Sequence, residues 1–298
     1  MSELELHTSI PCRFSGYHHP FDDADYVVVG VPYDRTSTYR ADSRFAPRAI
    51  REASSNIETF SLRSNIDLED IKICDVGDLH IVENASETLR RLESVCREII
   101  KPGKTPIVLG GEHTVSFGAV SAISKDAAVV DFDAHMDLRA EYMGERLSHA
   151  SVMRRISELF GSDKIFEFGV RAFSKEELEF ASKEKVWFMP NTRIRRIGLA
   201  EAISDLEERI SSFEEIYLTI DMDVLDPAYA PGVGNPEGDG MDPYSLIEAT
   251  CAICKHKVAG IDLVEVAPNF DHGVTAIQAA RILFETICAT EKHRKKDQ

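Results

Sequence analysis

Ala127-Ala-Val-Val-Asp-Phe-Asp133-Ala-His135-Met-Asp137 decides the reading of this 298-residue chain. It opens as a short, mostly apolar run with a β-branched centre, the signature of a buried strand, and runs directly into an alternation of acid and imidazole. Successive side chains of a strand point to opposite faces, so Asp133, His135 and Asp137 can project to one side where the strand ends. Runs of the same kind recur at residues 26–32, 71–77, 105–110, 127–132, 164–169, 186–189, 215–220 and 258–264. Helical stretches lie between most of them, at 47–53, 86–100, 115–123, 150–160, 175–183, 197–211, 243–255 and 274–290. Within 86–100, Leu89, Leu92, Val95 and Ile99 recur every third or fourth residue, Asn84 or Ser86 can cap the start, and Pro102-Gly103 ends it. Asp242-Pro243 similarly reads as an N-cap with proline at the first helical position. Apolar strands alternating with helices predict an α/β fold of three αβα layers, with an eight-stranded, mainly parallel sheet covered by helices on both faces. No repeat, low-complexity tract or Pro/Gly/Ser-rich linker divides the chain, so residues 1–298 are expected to form one domain, with 291–298 as a flexible, solvated tail.

Lys and Arg number 34 against 51 Asp and Glu, a formal charge of -17, and 43% of residues are hydrophobic. The chain can bury a large core, and its acidity argues against nucleic acid as a partner, since such grooves neutralise phosphates with basic residues. The same charge favours a small cationic molecule. The amino terminus, Met-Ser-Glu-Leu-Glu-Leu-His, lacks a basic segment leading into an apolar run. No stretch approaches the roughly 18 apolar residues that span a bilayer, which predicts a cytoplasmic protein with no membrane partner. The cysteines at 12, 74, 96, 251, 254 and 288 are too sparse for a disulfide framework and read as reduced thiols. Cys251 and Cys254 form a C-x-x-C near His256, but no second pair completes a zinc set, so they read as packed cysteines on a helix.

Two other strands end as the first one does. Tyr217-Leu-Thr-Ile220 runs into Asp221-Met-Asp223 with Asp226-Pro227 behind it, and the strand at 105–110 ends in Gly110-Gly111-Glu112-His113, where two glycines let the backbone bend tightly. Ligands of an open parallel sheet bind outside the carboxyl ends of its strands, where these residues converge. Four aspartates and two histidines on one rim resist joint ionisation unless cations compensate, and two divalent ions balance four carboxylates. Mixed His and Asp ligands without thiolate suit Mn²⁺ better than Mg²⁺ or structural Zn²⁺. A paired metal site most often drives hydrolysis by ionising a bound water near neutral pH.

These residues closely resemble the ureohydrolase family, dinuclear manganese enzymes that include arginases, agmatinases, formiminoglutamases and guanidino-acid hydrolases. The resemblance runs from Gly30 to about Glu285. It includes Gly30-Val-Pro-Tyr-Asp34, Thr36-Ser-Thr-Tyr-Arg40, Arg44-Phe-Ala-Pro47 with Ile50-Arg51, Asp75-Val-Gly-Asp78 and Gly110-Gly-Glu-His113, and then the D-x-H-x-D and D-x-D motifs. Ser148-His149-Ala150, Gly169-Val-Arg171 and Asp262-Leu-Val-Glu265, with Pro268 and Asp271, complete it. The resemblance implies the arginase-like fold. It makes His113 and Asp137 ligands of one metal and His135 and Asp223 ligands of the other, with Asp133 and Asp221 bridging both. It makes His149 a proton shuttle, Glu265 the partner of the substrate guanidinium, and Asp137 the group that passes the nucleophile's proton to the leaving amine. The implied reaction is attack of a metal-bridging hydroxide on a guanidinium carbon, and the implied assembly is a homo-oligomer, trimeric or hexameric.

Within the family the chain looks most like the agmatinases. Arginase carries an asparagine two positions beyond the last aspartate of D-x-H-x-D, and this chain has Arg139 there, which disfavours arginine. Agmatine, with its second cation, suits an acidic site. Arg139 can also bind a carboxylate, so guanidinobutyrate and formiminoglutamate stay as alternatives, as does a non-catalytic homologue. A dinuclear phosphoesterase is disfavoured by the lack of a basic cluster near the rim. Where agmatinases usually read G-T-P-E-P-G-G, this chain reads Gly234-Asn-Pro-Glu-Gly-Asp-Gly240, so Asn235 and Asp239 join the expected substrate-binding residues. The usual P-G-T-R-F-G-P becomes Ala41-Asp-Ser-Arg-Phe-Ala-Pro47, and the loop at Asp271-His-Gly-Val274 is one residue short.

Overall fold

The computed structural model describes residues 3–9 and 12–295. Its strands are β1 (Thr8–Ser9), β2 (Tyr26–Gly30), β3 (Phe60–Ser61), β4 (Ile66–Asp67), β5 (Ile73–Leu79), β6 (Thr105–Leu109), β7 (Ala128–Phe132), β8 (Ile165–Phe168), β9 (Trp187–Met189), β10 (Glu215–Asp221) and β11 (Lys257–Val264). Its helices are α1 (Glu3–His7), α2 (Ala46–Ser54), α3 (Ala85–Ile100), α4 (Val115–Val120), α5 (Val152–Phe160), α6 (Lys175–Glu184), α7 (Asn191–Ile197), α8 (Leu199–Ile210), α9 (Pro243–Ile253) and α10 (Val274–Arg294).

The main sheet has the order β1-β5-β2-β6-β11-β10-β7-β8-β9. The eight expected strands pair in parallel, and β1 adds to the edge antiparallel to β5, its Thr8 facing Leu79. Along β2, Tyr26 and Val28 enter one core while Val27 and Val29 enter the other. Helices α2, α7, α8, α9 and α10 supply apolar residues to the first core, and α1, α3, α4, α5 and α6 to the second. Burial on both faces is why the strands read as unbroken apolar runs.

A buried ion-pair network ties α2 to β5. Arg51 donates from Nε and Nη2 to the two Asp75 oxygens at 2.8 and 2.9 Å, and from Nη1 to Asp78 Oδ1 at 2.5 Å. Arg51 and the Asp75 side chain are fully buried.

Two expectations change. The helix expected over 197–211 is α8, which starts at Leu199 because Gly198 turns the chain at φ 93°, and α7 before it covers residues for which no helix was expected. The expected tail is helical through Arg294, because Glu291 is buried, accepts from the Tyr26 hydroxyl at 3.1 Å, and pairs with Arg294, which also reaches Asp25; residues 296–298 lie outside the described residues. All six cysteines are free thiols, and those of the C-x-x-C donate to the carbonyls of Glu285 and Thr286 at the packed face of α10. Among the described residues no helix is long and apolar enough to cross a membrane.

Candidate metal centre

Four neighbouring strands at the middle of the sheet, β6, β11, β10 and β7, carry the candidate site at their carboxyl ends. Gly110 and Gly111 follow β6 where no side chain fits: a Cβ on Gly111 would lie 2.0 Å from the Tyr33 carbonyl oxygen, and one on Gly110 2.6 Å from Val264. This close approach lets His113 fold back over the sheet. After β7 and β10, each leading aspartate closes a local turn. Asp133 Oδ1 accepts from the His135 backbone N–H at 2.5 Å, and Asp221 Oδ1 from that of Asp223 at 2.8 Å, so the Oδ2 atoms are left to face the centre. Asp137 and Glu265 both adopt left-handed backbone, φ 49° and 64°, conformations that non-glycine residues hold at a cost and that cluster at functional sites.

His113 Nδ1 lies 3.1 Å from Asp133 Oδ2, 3.1 Å from Asp137 Oδ2 and 3.4 Å from Asp221 Oδ2. His135 Nδ1 lies 3.1 Å from Asp223 Oδ2 and 3.4 Å from Asp133 Oδ1. The other side of the His113 ring explains its orientation. Its Nε2 is 3.1 Å from Thr219 Oγ1, which donates its single proton to Asp262 Oδ1 at 2.5 Å, since a carboxylate only accepts. Thr219 therefore accepts from Nε2–H, and in the neutral ring Nδ1 is a bare lone pair aimed at the carboxylates. Both His113 Nδ1 and Asp133 Oδ2 are buried without a hydrogen-bond partner.

The electrostatics point the same way. Burial works against the charged form of both imidazoles, yet Asp131, Asp133 and Asp137 hold His113, and Asp223 and Asp133 hold His135, well above the ordinary imidazole range. Burial, then Asp133, pushes Asp137 up to about 7; burial, then Asp223 and Asp133, raises Asp221 strongly. Against its own burial, Asp133 is drawn down by the two imidazoles beside it, His113 and His135. Two groups, His113–Asp133–Asp221 and Asp133–His135–Asp223, place ligand atoms close enough to hold a cation each, and they share Asp133. Converging imidazole and carboxylate donors, an orphaned nitrogen and no thiolate fit a pair of divalent ions.

Asp137, His135, Asp221, Asp223 and Glu265 form the floor of a cavity of about 320 Å³. Glu265 Oε1 accepts from the His113 backbone N–H at 2.8 Å, and burial pushes the carboxyl well above its ordinary range. His149 forms part of the wall. Thr36 Oγ1 donates to Glu112 Oε1 at 2.7 Å and accepts from the His149 backbone N–H at 3.0 Å, with His149 Nδ1 also 3.0 Å away. Nδ1 therefore carries the proton and Nε2 is the free base. Burial, then the charges of His135 and His113, lowers the His149 pKa to about 4.

Arg139 and Asn235 line the cavity. Asp239 does not: at φ 65° its side chain turns away and pairs with Arg195 at 3.0 Å. Glu237, two residues earlier, takes its place on the cavity wall. The 271–274 loop is also outside the cavity, where Asp271 accepts from the backbone N–H groups of Gly273 and Thr275 at the start of α10. Sequence reasoning assigned no role to Thr219, Asp262, Glu112 or Glu237. The signal for Thr219 was a small hydroxyl side chain between Leu218 and Ile220, two residues before a candidate ligand.

The model of the Arginase family matches residues 24–289. The agmatinase of Bacillus subtilis (strain 168) is 37% identical over 90% of this chain and 92% of its own. The N(1)-aminopropylagmatine ureohydrolase of Thermococcus kodakarensis is 38% identical over 91% and 92%. Among solved structures, the agmatine ureohydrolase of Thermoplasma volcanium superposes with a TM-score of 0.89 at 37% identity, covering 94% of each chain.

Proposed function

This chain belongs to the arginase family, and from that premise we propose that it hydrolyses agmatine with water to putrescine and urea. The observation that carries the reading is the pair of ligand groups sharing Asp133 on a cavity floor that also holds the Glu265 carboxylate. Family enzymes use a dinuclear metal centre, and the donor set supports Mn²⁺ as the ion here. His113 and Asp137 would hold one ion, His135 and Asp223 the other, and Asp133 and Asp221 both. Bound there, such ions supply Lewis acidity and a water that ionises near neutral pH.

The chain's own groups do the rest. With Oε1 held by the His113 N–H, Glu265 offers Oε2 to the substrate guanidinium in a charge-assisted hydrogen bond. Asp137, on the cavity floor beside the other candidate ligands, would pass the nucleophile's proton to the leaving amine. His149, neutral above about pH 4, relays protons at Nε2 between the cavity and solvent. The agmatine-type activities named for the relatives support an amine-tailed substrate, and the chain is proposed to work as a cytoplasmic homo-oligomer, trimeric or hexameric.

The test is urea release by metal-stripped protein resupplied with Mn²⁺, given agmatine, arginine and guanidinobutyrate, with formiminoglutamate followed by formamide release. Agmatine is expected to be preferred, and Asp133→Ala to lose metal binding and activity together. Preference for a carboxylated substrate overturns the agmatine reading, and full activity in Asp133→Ala overturns the site.

A further inference from the structure

The cavity runs from a buried floor to a partly exposed mouth, and the charged groups at that mouth are not equally engaged. Arg139 is engaged there already: its Nε lies 3.7 Å from Glu177 Oε2, and its guanidinium sits 5.3 Å from the Tyr142 ring centroid. Glu177 is itself held, accepting from the backbone N–H groups of Leu138 at 3.2 Å and Ser174 at 2.7 Å. Glu237 lines the same cavity from another loop, is exposed, and makes no ion pair within the described residues. Arg139 is thus taken by Glu177, and the Arg171 guanidinium beside the Glu237 loop is taken by backbone carbonyls, so the Glu237 carboxylate is left at the mouth with no side-chain ion-pair partner among the described residues.

The loop carrying Glu237 is anchored to the site. Arg171 Nη2 donates to the carbonyl oxygens of Asp223 at 2.7 Å, Leu225 at 3.2 Å and Glu237 at 2.8 Å, while its Nε donates to that of Gly238 at 3.0 Å. One guanidinium therefore holds the backbone of a candidate metal ligand and the backbone of Glu237 together, and the Asp226 carboxylate pins Gly240 N at 3.0 Å just beyond. The Glu237 backbone is fixed relative to the floor, and only its side chain is left to meet a ligand.

We infer that Glu237 is the specificity-determining residue for the far end of the substrate: its carboxylate pairs with an ammonium on the tail of a guanidino compound whose guanidinium is held at Glu265. The inference rests on the guanidino-hydrolase reading above. It selects amine-tailed substrates over neutral and carboxylate-tailed ones of the same length, and it gives Arg139 a structural partner in Glu177 where a carboxylate anchor would need a free guanidinium.

The test uses the Mn²⁺-loaded full-length protein, wild type, Glu237→Gln and Glu237→Lys. The substrates are three alkylguanidines of equal length ending in ammonium, methyl or carboxylate. Glu237→Gln is expected to raise KM for the amine tail about tenfold, as loss of a charge-assisted hydrogen bond does, with kcat kept and the methyl tail unchanged. Glu237→Lys should shift preference to the carboxylate tail. Calorimetric binding of putrescine, read without turnover, should weaken in parallel. Equal changes for amine and methyl tails, or none for either, overturn the inference. A wild type that cleaves all three with equal KM sinks the inference alone, whereas a wild type that cleaves none of them sinks the guanidino reading beneath it.

Discussion

Replacing Thr219 with valine removes one oxygen and keeps the shape of the side chain. That oxygen accepts from His113 Nε2 and donates to Asp262 Oδ1, so its loss frees the imidazole to exchange tautomers and leaves its Nε2–H without an acceptor. An outer partner of this kind is worth about 10–100-fold in metal affinity, or about 1.4–2.8 kcal/mol. Asp262 keeps the Tyr217 hydroxyl at 2.8 Å, so the cost to folding is that of one weakened buried acceptor, about 1–3 kcal/mol. The two costs separate experimentally, because only the second appears in protein held in chelator. Calorimetric titration of metal-stripped protein with Mn²⁺ should show two binding events, of which only the one involving His113 weakens, since His135 does not touch Thr219. Thr219→Ser should restore it. Wild-type affinity at both sites, or equal weakening of both, would refute the assignment of Thr219 as the group that sets the His113 tautomer.

Other outcomes follow from the same geometry. Asp75→Asn strips a buried arginine of its bidentate partner and should cost about 3–5 kcal/mol in urea unfolding, while the paired replacement Arg51→Met with Asp75→Leu should cost much less. Gly111→Ala, whose Cβ would meet the Tyr33 carbonyl oxygen at 2.0 Å, should lose about 1–3 kcal/mol by thermal melting and weaken Mn²⁺ binding through displacement of His113. His149 has its pKa lowered from 6.5 to about 4, so the folded state disfavours its protonation: the stability this supplies is present above about pH 6.5 and is lost as pH falls toward 4. In chelator, His149→Asn should therefore flatten the acid limb of the stability curve by up to about 3 kcal/mol, and an unchanged limb would count against the burial of that ring.

The parallel sheet was legible because its eight strands are buried on both faces and carry their apolar character without interruption, as Tyr26–Gly30 and Ala128–Phe132 do. The antiparallel β1 was not, since two residues hold their place only through pairing with Leu79 and Asp78. The candidate ligands could be read because they sit two apart just where strands end, although β7 stops at Phe132 and it is the turns closed by Asp133 and Asp221, not strand alternation, that bring them to one side. Asp239 and Glu237 share the same spacing, yet one left-handed residue sends Asp239 to Arg195 and leaves Glu237 on the cavity wall. Thr219 and Asp262 were hidden for another reason: they occupy strand interiors, where only the register with neighbouring strands shows what they face.

That register also aligns Glu167, Asp131, Thr219 and Asp262 side by side across β8, β7, β10 and β11, all of them buried. Neither oxygen of Glu167 or of Asp131 finds a hydrogen-bond partner, and burial raises the pKa of both. Asp131 and Thr219 each lie two residues before a candidate ligand, so the middle of the sheet beneath the site is filled by buried polar groups and not by hydrocarbon alone. Ligands that bind only the folded state stabilise it by mass action. A chelator would therefore withdraw that increment and leave the stability of the metal-free fold.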